Sequence, residues 1–373
     1  MIKILNIITG GISTDGITSA WLAICENWVK NPETTDLRMD FLCIDNISSR
    51  TVVRKFENLG FRILNVNERQ SNVLTYYRDL SKILNREKYD IIHANGSSSF
   101  MILEMLAAKQ NNIPIRLSHS HNTTCSRKSV HKLLQRPFNR LSNRRIACGK
   151  DAGEWLFGKY PFEVFHNGID LGKFIFKHEI RDQIRSGLNL TENTVAIGHV
   201  GKFNYQKNHR FLIRAFERIN DILPESRLFL FGDGPLTSEI KESVSAMKLD
   251  AKIEFMDAVD NISDYLQAMD VMLLPSRFEG LPNVVVEWQA SGLPCIVSDS
   301  ITRECASTNL VEFLPLEDSY DTWTKKTIEV CRNREPRELR SINATKKLRE
   351  NGFDIIGQTN RLIALYKDAV NNN

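Results

Sequence analysis

Short, continuous apolar runs alternate with longer amphipathic stretches along most of the chain. Ile4–Ile8, Phe41–Ile44, Arg62–Val66 and Ile91–Ala94 are strand candidates. Between and after them, the segment running through Trp28, Val52–Leu59, Val73–Glu87 and Phe100–Gln110 carry apolar residues at helical spacing. A second series repeats the rhythm. Its strands are Val195–Val200, Arg227–Phe231, Ile253–Phe255, Val271–Leu274, Cys295–Val297 and Val311–Leu314. Its helices end at Ile219 or span Ile262–Met269 and Val284–Ser291. Gly292 and Pro294 stop the last of these. Strand–helix–strand order with apolar strands predicts α/β architecture and mostly parallel sheets.

The two series are joined by the strand Ile146–Cys148, a helix around Ala152–Phe157, the turn His166–Asp170, and Leu171–Thr194, read as one helix and a polar approach. Leu316–Val330, Glu335–Asn351 and Ile355–Val370 are helical, and Asn371–Asn373 is a polar tail. At 373 residues the chain has room for two or three domains, each with its own core.

Composition changes this picture little. The chain is 42% hydrophobic and 25% charged, as expected of a globular protein. The formal charge is only +4, but eight basic residues and no acidic one fall within 116–145: Arg116, Arg127, Lys128, Lys132, Arg136, Arg140, Arg144 and Arg145. This stretch, with Arg127–Arg145 read as helix-like, suits a phosphate-rich ligand, an anionic membrane surface or a solvated helix face. No nucleic-acid recognition module accompanies it. The seven cysteines lack metal-site or redox spacing, which favours reduced structural thiols. No run approaches membrane-spanning length, and the first residues read as strand and loop rather than a secretion signal. The expectation is cytoplasmic residence with peripheral membrane attachment open.

Candidate chemistry concentrates at Arg277–Asp299. Glu279 lies in a Gly/Pro loop and Glu287 lies eight residues later, inside the following helix. The helix start at Leu281, Pro282 and Asn283 presents N–H groups suited to a phosphate, with Pro282 unable to donate. Upstream, GGISTDG carries Gly10, Gly11 and Gly16, which permit either a structural turn or close approach to a ligand. Asp15 in that loop fits a helix cap or an acceptor-orienting carboxylate. His119 and His121 in RLSHSHN fall on one face of a strand end; no third metal ligand follows at convincing spacing. Lys202 and Lys207 in GKFNYQKNH fit two phosphates or plain surface lysines, and Gly232 and Gly234 in GDGP fit a ligand loop or a turn.

These motifs, in this order, resemble the retaining glycosyltransferases of GT-B architecture, family 4, and the HSHN form with its basic segment resembles bacterial exopolysaccharide and capsule transferases. The resemblance spans nearly the whole chain. It implies two Rossmann-like domains facing an interdomain cleft: 1–170 on the acceptor side, 171–352 binding the nucleotide sugar, and 353–373 as a helix returning to the first domain. It further implies that Glu279 contacts donor-sugar hydroxyls, Glu287 binds ribose, Lys202 and Lys207 neutralise the diphosphate, and His121, with His119 as its neighbour, approaches the reacting sugar. Gly11, Gly16, Gly232, Gly234, Gly280, Leu281 and Asn283 would line the nucleotide site. Many relatives carry Arg where this chain has Lys202, which keeps the charge but loses the bidentate fork. The implied activity is retaining transfer of a hexose or N-acetylhexosamine from a UDP-sugar to a polyprenyl-diphosphate-linked glycan, without a metal cofactor. A nucleotide-sugar epimerase and a non-catalytic nucleotide-sugar binder are the competing functions.

Overall fold

The computed structural model describes residues 1–13, 15–44, 47–66, 72–259, 261–317, 320–332 and 335–372. Thr14 of the first glycine loop, residues 318–319 of the Leu316–Val330 segment and Asn373 of the tail lie outside them. The chain divides into two compact units, Met1–Ile169 with Gly352–Asn373, and Asp170–Asn351.

The first unit contains β1 (Ile2–Ile8), α1 (Gly16–Trp28), β2 (Leu37–Ile44), α2 (Arg50–Asn58), β3 (Arg62–Val66), α3 (Val73–Glu87), β4 (Ile91–Gly96), α4 (Ile102–Gln110), β5 (Ile115–Ser120), α5 (Lys128–Leu141), β6 (Arg144–Ala147), α6 (Lys150–Phe157) and β7 (Glu163–Val164). The strands form one seven-stranded sheet in the order β3-β2-β1-β4-β5-β6-β7, and the paired strands are parallel. Period-2 alternation sends Ile4 and Ile8 into the core on one face and Leu5 and Ile7 into the core on the other. That double burial explains why the strands read as unbroken apolar runs.

The second unit contains α7 (Leu171–Phe174), α8 (His178–Gly187), β8 (Val195–Val200), α9 (His209–Ile222), β9 (Ser226–Phe231), α10 (Thr237–Ala246), β10 (Ile253–Phe255), α11 (Ile262–Ala268), β11 (Val271–Leu274), α12 (Asn283–Ala290), β12 (Cys295–Ser298), β13 (Val311–Leu314), α13 (Tyr320–Cys331) and α14 (Arg337–Glu350). Its six-stranded parallel sheet runs β10-β9-β8-β11-β12-β13. Half-buried Arg337 ties the helices around it, donating to the carbonyls of Leu266 (2.7 Å), Gln267 (2.7 Å), Met269 (2.7 Å) and Ser291 (2.9 Å) at the ends of α11 and α12.

The last helix, α15 (Ile355–Asn371), belongs to the first unit, where Leu362, Ile363 and Tyr366 enter the core beside Trp21 and Trp28. Each such side chain contributes about 1.5–3 kcal/mol by burial. Ile169 donates to the Phe353 carbonyl (2.8 Å) and accepts from the Ile355 N–H (3.0 Å), so the chain leaves and re-enters this unit at neighbouring points.

Two sequence readings need correction. Leu171–Thr194 holds two helices, α7 and α8, because Phe174 and Phe176 anchor the intervening chain in the interior. The Arg127–Arg145 segment is helical only over Lys128–Leu141, and Arg144 and Arg145 open β6. Across 116–145 the positive charge is not uniformly free. Arg116 donates to the Leu141 (2.7 Å), Ile113 (2.9 Å) and Pro114 (3.2 Å) carbonyls, and Arg145 binds Asn139 Oδ1 (3.1 Å) and the Ser142 carbonyl (2.7 Å). Arg127, Lys128, Lys132, Arg136 and Arg140 stay exposed.

Candidate active site

In an open parallel sheet, ligands bind beyond the carboxyl ends of the strands where the strand order reverses. In the second unit that point lies between β8 and β11. Residues 201–208 leave the end of β8 and residues 275–282 leave the end of β11, and the two loops are laced together. The Arg277 N–H donates to the Gln206 carbonyl (2.9 Å), and Arg277 Nη2 donates to Asn208 Oδ1 (3.0 Å). Asn208 adopts a left-handed conformation (φ 57°) that asparagine tolerates, just before α9 begins.

This lacing aims two donors at one carboxylate. Lys207 Nζ donates to Glu279 Oε1 at 2.8 Å, and Gln206 Nε2 donates to Glu279 Oε2 at 2.8 Å. Glu279 is 8% exposed, so the pair sits in partly desolvated surroundings where charge-assisted bonds are strong. Half-buried Glu287 lies just over one turn into α12. Burial pushes its carboxyl up to about 7, against a smaller downward pull from Lys207. One ammonium therefore acts on both carboxylates. The start of α12 has no side-chain cap, which suits an anionic ligand at its first-turn amides.

The glycines at this end serve the protein's own backbone. Gly232 has φ +134°, and a Cβ there would come within 2.4 Å of the Gly201 carbonyl oxygen. A Cβ on Gly234 would come within 2.4 Å of the Phe203 carbonyl oxygen. Phe203 N–H donates to the Asp233 carbonyl (3.0 Å), binding the loop after β9 to the loop after β8. Beneath them lie buried His199 and His209, with ring centroids 4.7 Å apart; burial lowers them to about 4 and about 2. Lys202 is exposed on the same loop, Gly280 and Leu281 are buried, and Asn283 opens α12.

In the first unit the strand order reverses between β1 and β4. β4 extends past Ala94 to include Asn95 and Gly96, and β5 runs beside it into His121. His119 and His121 have ring centroids 3.9 Å apart, and His93 lies 5.4 Å from His119. His93 Nδ1 bonds the Tyr366 hydroxyl (2.6 Å), and His121 Nε2 bonds Asn95 Oδ1 (3.0 Å). Burial lowers His121 to about 3 and holds His93 and His119 well below their ordinary value, so all three are neutral near pH 7. They line a cavity of only about 10 Å³ with Trp21 and Phe165. Among the described residues no group of three or more His, Cys, Asp or Glu is arranged to hold a metal ion. Asp15 caps α1, accepting from Thr18 N–H (2.8 Å) and Ser13 Oγ (2.8 Å). Gly11, at φ +81°, is needed because a Cβ would meet Ile47 at 2.7 Å, whereas Gly16 has open space around it.

Residues 45–173 match the family described as Glycosyltransferase Family 4, and residues 194–333 match Glycosyl transferases group 1. EpsF of Bacillus subtilis (strain 168), named as a glycosyltransferase, is 33% identical over 315 residues, which cover 80% of this chain and 81% of EpsF. This chain belongs to the family 4 glycosyltransferases. The UDP-Gal:alpha-D-GlcNAc-diphosphoundecaprenol alpha-1,3-galactosyltransferase of Escherichia coli is 30% identical to this transferase over 315 residues, 79% of each chain. The crystal structure of Anabaena Alr3699/HepE in complex with UDP has the same fold, with a TM-score of 0.78 at 15% identity over 98% of this chain and 100% of that one. Sequence reasoning missed Gln206, Asn95 and His93. For Asn95 a signal existed, a polar Asn-Gly pair ending an apolar run. His93 and Gln206 gave none, because their neighbours lie far away in sequence.

Proposed function

We propose that this glycosyltransferase moves a hexose or N-acetylhexosamine from a UDP-sugar, with retention, to a polyprenyl-diphosphate-linked saccharide in exopolysaccharide or capsule assembly. The observation that carries the reading is the Glu279 carboxylate, held at both oxygens by Lys207 and Gln206 at the reversal of strand order. A carboxylate fixed in this way is an acceptor for two sugar hydroxyls. Lys207 and the first-turn amides of α12 stabilise the departing diphosphate, the place where charge develops. Glu287 accepts from ribose hydroxyls, and neutral His121 orients the sugar without acting as a general base. Attack and departure then occur on one face, with the leaving phosphate taking the acceptor proton. No resident metal takes part in this scheme. The exposed basic residues of α5, with Leu133 among them at 77% exposure, support contact with an anionic membrane. No described helix is long and apolar enough to cross one.

The name of the E. coli relative supports the lipid-linked acceptor, and the names of both the E. coli and B. subtilis relatives support the sugar-transfer class. The test is to incubate the pure protein with a panel of UDP-sugars and polyprenyl-diphosphate-linked GlcNAc or related acceptors. Acceptor-dependent UDP release with a mass-shifted glycolipid of retained anomeric configuration is expected. Epimerised UDP-sugar without transfer, or donor binding with no turnover across the panel, would overturn the proposal.

A further inference from the structure

Asn95 lies fully buried at the end of β4, at the reversal of strand order in the first unit. Its amide hydrogens face three acceptors: Asn6 Oδ1 (2.8 Å), the Ile7 carbonyl (3.2 Å) and the His93 carbonyl (3.3 Å). Flipping the amide would set its oxygen against those carbonyl oxygens, so its orientation is determined. Trp21 Nε1, which can only donate, confirms it by bonding Asn95 Oδ1 at 3.0 Å. That same oxygen lies 3.0 Å from His121 Nε2. An amide oxygen can only accept, so His121 must carry its proton on Nε2. Its Nδ1 is buried and has no hydrogen-bond partner among the described residues. The backbone of Asn95 ties in the first glycine loop as well, because its carbonyl accepts from Thr9 N–H (3.0 Å) and Thr9 Oγ1 (2.8 Å).

We propose that Asn95 is a positioning residue for sugar transfer: its side-chain oxygen holds His121 as the Nε2–H tautomer and leaves the Nδ1 lone pair to accept a hydroxyl of the sugar. The catalytic clause rests on the role given to His121 above; the tautomer clause does not. A histidine so held is a hydrogen-bond acceptor and neither an acid nor a cationic phosphate ligand. The titratable groups facing it are His119 on β5, the strand that leads into it, and His93 on β4, both held neutral, with His166 on the same small cavity and Tyr366 beyond His93. No carboxylate lines that cavity to draw a proton onto the ring.

The experiment is long-range 15N–1H correlation spectroscopy on 15N-histidine-labelled full-length protein, with His121 assigned by the signals lost in His121→Phe. The expected result is a protonated Nε2 and an unprotonated Nδ1, unchanged from pH 5.5 to 8. Asn95→Asp places a carboxylate where the amide oxygen was. It is expected to raise the His121 titration into that window, to lower kcat about tenfold with little change in donor KM, and to add a pH dependence to kcat that the wild type lacks. Trp21→Phe removes the other donor and should keep the His121 tautomer, so the resting-state reading survives if Asn95→Asp fails to fold. An Nδ1–H tautomer, a wild-type His121 titrating near 6.5, or unchanged His121 signals in folded Asn95→Asp would overturn the proposal. If the tautomer is as stated but His121→Phe transfers at the wild-type rate, the catalytic clause fails along with the role assigned to His121.

Discussion

Glu287→Gln keeps the length and most hydrogen-bonding atoms of the side chain but abolishes its titration. In the folded protein burial lifts this carboxyl from 4.5 to about 7. Because the folded value is the higher one, the folded state binds the proton more tightly than the unfolded chain. The carboxyl therefore costs nothing below pH 4.5. The cost of ionising it grows as pH rises towards about 7 and is constant above that. Each pH unit of displacement corresponds to about 1.4 kcal/mol, so the wild type should lose at most about 3 kcal/mol relative to Glu287→Gln between pH 4.5 and 8. Solvent access at this half-buried side chain lowers that ceiling. The chain has two units, so a single unfolding curve is a poor readout. Hydrogen exchange of the α12 and β12 amides, compared between the two proteins at each pH, reports the second unit alone. Protection in the variant should exceed that of the wild type increasingly from pH 5 to 8. Parallel pH profiles would refute the reasoning, because they would mean that Glu287 ionises as freely in the folded protein as in water.

Lys207→Ala strips Glu279 of its ammonium and the donor site of a half-buried cation; transfer should fall about 10²–10³-fold, read as kcat, with the protein still folded by circular dichroism. Glu279→Gln keeps the side-chain shape and should lose transfer far more than thermal stability; equal kcat at saturating substrates would remove it from the site. Gly232→Ala adds a methyl against a backbone oxygen at a positive φ, so a loss of about 2 kcal/mol or more is expected in thermal unfolding. Arg337→Ala removes four hydrogen bonds from the second unit, although Arg181 still donates to the Gln267 and Met269 carbonyls, and should cost about 2–4 kcal/mol, with Arg337→Lys giving little rescue because one ammonium cannot span all four carbonyls.

Much of the architecture was legible in the sequence because each element is buried in a way its pattern records. Val195–Val200, Val271–Leu274 and Val311–Leu314 coincide with observed strands. The pairing of motifs was less legible. Lys207 and Glu279 were each read as ligand-facing, and only the adjacency of β8 and β11 brings them together across 72 residues. Gln206 has no local pattern that marks it as the second donor. The glycines of GDGP look the same in sequence whether a phosphate or another backbone approaches, and here Gly201 and Phe203 occupy that space. The basic stretch left its alternatives open for a similar reason. A run of arginines does not reveal that Arg116 and Arg145 are spent on carbonyls of their own unit. Asn95 was marked only as the polar end of an apolar run; its bonds to Trp21 and His121, distant in sequence, appear only once the sheet order is known.

The exit and return of the chain at Ile169 and Phe353–Ile355 have a consequence for synthesis. Residues 170–351 are, topologically, an insertion, and the first unit is completed only by α15. All of the second unit is synthesised while the first still lacks Leu362, Ile363 and Tyr366, and while His93 lacks the hydroxyl it bonds. The unit made first is thus finished last, and until α15 is available its sheet presents the open apolar face that α15 will cover.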